Sequence, residues 1–73
     1  MTDANVIELA HVRAVAQAAA KRNRYLHVSP DELAAARRAG IRMLIAGESA
    51  TAAAFRAERV VVEAWRAAGM PVA

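Results

Sequence analysis

The sequence predicts a mostly α domain of three helices, at about residues 3–23, 30–46 and 50–68. Three observations carry this expectation. Helix-start residues, Ser29-Pro30-Asp31-Glu32 and Ser49, stand directly before long stretches with helical periodicity. Helix breakers, Gly47 and Gly69 with Pro71 beyond, stand directly after them. The apolar fraction of 58% divides evenly between 21 alanines and 21 larger residues, and alanine favours helix at almost no entropic cost.

In the first helix Asp3 is the candidate N-cap and Glu8 places an acid near the start. On a 3.6-residue wheel Leu9, Val12, Ala16, Ala19 and Ala20 share one face, and Ile7, Ala10, Ala14 and Ala18 another. Arg13, Gln17, Lys21 and Arg24 lie on an arc between them. Two apolar sides suit a helix held by two neighbours or by a partner chain. Helical periodicity fails at Tyr25-Leu26-His27-Val28, which alternates and contains β-branched and aromatic residues. As a loop, its Leu and Val plug the core. As a short strand, Leu26 and Val28 face one way and Tyr25 and His27 the other, with pairing across a homodimer.

The second helix opens on a capping box, with Ser29 at N-cap, Pro30 at the first helical position and Glu32 at the third. Leu33, Ala36, Gly40, Met43, Leu44 and Gly47 form its apolar face, with Asp31, Arg38 and Arg42 opposite. Gly40 either allows close helix approach or breaks the helix in two. Gly47-Glu48-Ser49 is a stop and restart. The last helix presents Ala53, Ala57, Val60, Val61, Ala64, Trp65 and Ala68 on one face. Arg59–Glu63 and Glu63–Arg66 are spaced to pair on the polar side. Phe55 and Val62 lie off the main stripe and imply a second neighbour or a partner chain.

With 73 residues the chain is a single small domain, 1–73, hiding only about 60% of its unfolded surface on folding. A core this thin predicts a homo-oligomer, a dimer or higher. Cys is absent, which excludes disulfides, thiolate metal sites and thiol catalysis and favours a reducing, cytoplasmic setting. No basic, apolar leader and no uncharged run of about 18 apolar residues is present, so neither a targeting segment nor membrane insertion is expected. His11 and His27 lie on different elements, Glu58 and Glu63 are five apart, and Ser29, Ser49 and Thr51 read as caps. None of the pairings that acid–base, nucleophilic or metal chemistry needs is present, so the expectation is no enzyme, no metal and no cofactor.

The net charge of +3 is unevenly spread: residues 13–42 carry +5, with Lys21, Arg22 and Arg24 close together. Such clustering suits a polyanion such as duplex DNA or an acidic protein, or else a solvated basic face. Residues 24–65 resemble the ribbon-helix-helix family of DNA-binding proteins. The resemblance rests on Tyr25–Val28, the Ser29-Pro30-Asp31-Glu32-Leu33 start, the Gly47-Glu48-Ser49 turn and the Arg-bearing Ala-Phe-Arg-Ala-Glu-Arg-Val stretch. It implies a dimeric transcriptional regulator whose paired strands enter the major groove. Tyr25 and His27 would then face bases, and the amides of Ser49 and Ala50 would meet phosphate. Lys21, Arg22 and Arg24 would supply the salt-dependent phosphate contacts. The second helix is about two residues longer than the family pattern, and Pro30 and the long first helix depart from it. The alternative expectation is a small helical interaction or assembly protein, such as a phage-type structural or adaptor subunit, with a protein partner and no nucleic-acid role. A helix-turn-helix fits less well, because the early exposed face of the last helix is mostly Ala and has little with which to read bases.

Overall fold

The computed structural model describes residues 7–71, which form three helices: α1, Leu9–Leu26; α2, Pro30–Ile45; and α3, Ala50–Ala67. The mostly α, three-helix class is as expected, and among the described residues there is no strand.

Two boundaries of α1 differ from the expectation. Ile7 and Glu8 are not helical, and the extended Glu8 precedes Leu9 with no side-chain cap bond, so α1 starts later than residue 3. The expected N-cap Asp3 lies outside the described residues. At the other end α1 runs past the expected stop at Asn23, through Arg24, Tyr25 and Leu26. The short strand at 25–28 is therefore replaced by the last helical residues and their cap. Its physical cause is the periodicity of the buried stripe: Val15 and Ala19 are fully buried, and Leu26, seven residues past Ala19, packs against the same core. His27 then adopts the left-handed conformation, φ 56°, and its N–H donates to the Asn23 carbonyl. The Asn23 side-chain oxygen accepts from the Val28 N–H at 2.6 Å. Leu26 and Val28 both pack on the core, as the loop reading required.

The other ends follow the sequence closely. Ser29 Oγ accepts from the Glu32 N–H and Glu32 Oε1 accepts from the Ser29 N–H, each at 3.1 Å, which completes the capping box. At the end of α2 the Gly47 N–H donates to Leu44 and the Glu48 N–H to Met43, a Schellman closure made with Gly47 at φ 90°. Ser49 caps α3 by accepting from the Ala52 N–H. Gly69 and Met70 close α3 onto Arg66 and Trp65 in the same way.

Short connections, residues 27–29 and 46–49, turn the chain back on itself twice. Ala14 on α1 lies beside Ala50 and Ala54 on α3, and Arg22 further along α1 reaches Glu58. Thus α1 and α3 run parallel and α2 runs antiparallel to both. The core holds Val15, Ala19, Ala36, Ala53, Ala57 and Val61, all fully buried, with Gly40 buried among them. Gly40 does not break α2. A Cβ at this position would stand 2.5 Å from Val15 Cγ1 and 2.9 Å from the Ala53 carbonyl oxygen, so its missing side chain is what lets α2 settle on both other helices. The α2 and α3 apolar stripes are those the wheel gave, except at their ends, where Gly47 and Ala68 are exposed. On α1 the buried line is centred on Val15 and Ala19, whereas Leu9 and Ala20 are exposed.

Candidate functional site

Lys21, Arg22 and Arg24 are all exposed near the C-terminal end of α1. Lys21 and Arg24, three apart, are neighbours on one side of the helix, and Arg22 is turned about 100° from Lys21. Lys21 and Tyr25, four apart, share one side, and both line a depression of about 160 Å³ with Ala18, Arg22 and Glu58. Arg22 Nη2 donates to Glu58 Oε1 at 3.1 Å, a bridge from α1 to α3 across 36 residues of sequence. Arg24 is exposed and does not line this depression. Tyr25 is 73% exposed, and exposed His27 sits at the cap.

Ser49 and Ala50 do not join this group. They begin α3 at the level of Ala14, and Lys21 lies about 10 Å further along the parallel α1 and His27 about 20 Å further. The seven residues expected to contact DNA thus fall into two sets toward opposite ends of the bundle. Tyr25 and His27 are not alternate residues of a strand, and the Ser49 hydroxyl is already engaged at Ala52.

A larger surface feature joins the two ends. On the side of the α1/α3 pair away from α2, half-buried Ala14, Ala18, Ala50 and Ala54 form the floor of a trough. Phe55, 61% exposed, stands over it next to Glu58. The trough continues past Val62 to Arg66, where Arg59 pairs with Glu63 at 3.7 Å. The expected Glu63–Arg66 pair is not made among the described residues. The sequence marked Phe55 and Val62 as off the stripe and Ala14 and Ala18 as a second apolar face of α1. What it did not indicate was that these two features meet, or that Glu58 anchors Arg22.

His11 lies 3.7 Å from Glu8 near the start of α1, and His27 caps its far end. Among the described residues no three His, Asp or Glu side chains converge, and no helix is long and apolar enough to cross a membrane. Comparison with family models, with curated proteins and with solved structures finds no match to this chain.

Proposed function

We propose that this chain is a small helical interaction protein that works through the uncovered α1/α3 side. The observation that carries this reading is the trough itself, an alanine floor flanked by the two most exposed aromatics, Phe55 and Tyr25. Large apolar side chains on a surface of this kind mark contact with another protein. The helical course of Tyr25 and Leu26 supports it further, since the segment expected to pair as a DNA-reading ribbon is not extended there.

A second reading, a basic DNA-binding protein, draws support from Lys21, Arg22 and Arg24, exposed within four consecutive residues. In that reading binding is through phosphates and not through base edges. One titration separates the two. At about 50 mM salt and micromolar protein, a labelled duplex stays free if the surface is a protein-interaction one. If the basic group serves DNA, the duplex binds, and Lys21→Ala weakens binding equally on all sequences and lowers the salt slope by about 0.9.

A further inference from the structure

From the charge that lines the trough and the direction of the two helices that form it, we infer that its occupant is an acidic amphipathic helix of another protein, packed antiparallel to α1 and α3. This rests on the interaction reading above and names the partner's chemistry. The lining carries an excess of positive charge. Lys21, Arg22, Arg59 and Arg66 stand against Glu58 and Glu63, and those two carboxylates are taken by Arg22 at 3.1 Å and Arg59 at 3.7 Å. Lys21 and Arg66 are left without an acidic partner among the described residues. Toward the end where α1 and α3 begin, the trough is lined by Ala14, Ala50, Thr51 and Ala54, which carry no charge. A second copy presenting the same face would set like charge against like, so the partner is a different protein.

The other side of the same helix pair shows what such a groove accepts. There α2 lies antiparallel to both helices, settled on Val15 of α1 and the Ala53 backbone of α3. Asp31 and Glu32 stand in its first turn, at the end of the bundle where α1 stops. A helix laid antiparallel in the trough likewise begins beside the C-terminal ends of α1 and α3, where Arg66 stands. Acids in its first turn are then favoured by Arg66 and by the helix's own macrodipole. Arg22 meets Glu58 across 36 residues, so Lys21 is level with Ala57 and lies about 13 Å before Arg66 along the bundle. That distance spans about nine residues of the partner helix, or about two and a half turns, so two acids at that spacing fall on opposite flanks. One meets Arg66 on the α3 wall and the other Lys21 on the α1 wall. Tyr25 and Phe55, exposed on the two walls, cover the apolar side chains laid between them.

Fluorescence anisotropy of a labelled synthetic peptide, titrated with the full chain, tests this. The probe is an amphipathic helix of about 16 residues, matching the trough from Ala50 to Arg66, with a leucine and alanine stripe flanked by glutamates. Its control carries lysines in place of the glutamates. The glutamate peptide is expected to bind in the micromolar range, about tenfold or more tighter than the lysine peptide at about 50 mM salt. Phe55→Ser, at an exposed position, is expected to weaken it about tenfold while retaining the helical circular dichroism of the wild type. Lys21→Glu with Arg66→Glu is expected to reverse the preference between the peptides. Arg38→Glu with Arg42→Glu, the same charge change on the exposed side of α2, is expected to preserve it. Equal reversal by both pairs means that net charge alone selects the peptide, and overturns the proposal. Equal binding of both peptides to the wild type, weakened by Phe55→Ser, overturns the acidic partner but keeps the interaction reading. Binding of neither peptide overturns the helical occupant, and binding untouched by Phe55→Ser overturns the trough as the contact in both readings. A wild-type dimer in sedimentation equilibrium that Phe55→Ser dissolves makes a second copy the occupant and overturns the proposal too.

Discussion

The two sides of the α1/α3 pair are built from the same residue type and end differently. On one side Ala53 and Ala57 are fully buried beneath α2, where Gly40 brings the backbone close. On the other, Ala14, Ala18, Ala50 and Ala54 are half-buried, and none of the described elements covers them. Alanine permits close approach, but it does not by itself create burial. A third element, guided by a glycine, turns one alanine surface into core, while its absence leaves the other a trough bordered by Phe55.

The sharpest way to break this comparison is to enlarge neighbouring alanines on α3. Ala53→Leu forces a bulky side chain under α2 and is expected to cost about 3 kcal/mol. Ala54→Leu, one residue on, projects into the trough and is expected to change fold stability by about 0.5 kcal/mol or less. Urea unfolding of the two variants provides the check, and equal losses would mean that the two sides are not distinct.

Gly40→Ala probes how tightly the covered side is closed. Helix propensity favours the alanine by about 1 kcal/mol, yet its Cβ meets both Val15 and the Ala53 carbonyl, and a net loss of about 1–2 kcal/mol is expected. Val15→Ala makes room on one side of that contact. The double variant is therefore expected to be more stable than the sum of the single effects by about 1 kcal/mol, measured as a double-mutant cycle.

A smaller effect is expected at the cap that holds α2 in place. Ser29→Ala removes the acceptor for the Glu32 N–H and is expected to cost about 1 kcal/mol in the same denaturation assay. An unchanged midpoint would show that Pro30 and the packing of Leu33 set the helix start without the hydroxyl.

Three helices and both later turns were legible because their ends are written in local chemistry: Ser29, Pro30 and Glu32 at one start, Ser49 at another, Gly47 and Gly69 at the stops. The end of α1 was not, because no Gly or Pro stands between Lys21 and Ser29. There the alternation of Tyr25–Val28 competes with a helical stripe that ends on Leu26, and the stripe wins because Leu26 reaches the core. A non-glycine residue, His27, then takes the left-handed position, aided by Asn23. The basic group was visible as composition, but its separation from Ser49 and Ala50 depends on α1 and α3 running parallel. That direction follows from the two short turns, but which side chains then meet, the Arg22–Glu58 pair among them, is set by packing between residues far apart in the chain.

The central claim is that Tyr25–Val28 closes a helix and does not form a strand. Backbone chemical shifts of these four residues in the intact protein test it most directly. Helical shifts at Tyr25 and Leu26, with left-handed values at His27, are the predicted result. Extended shifts through Val28, with cross-chain contacts between paired segments, would contradict it and return the ribbon reading to the front.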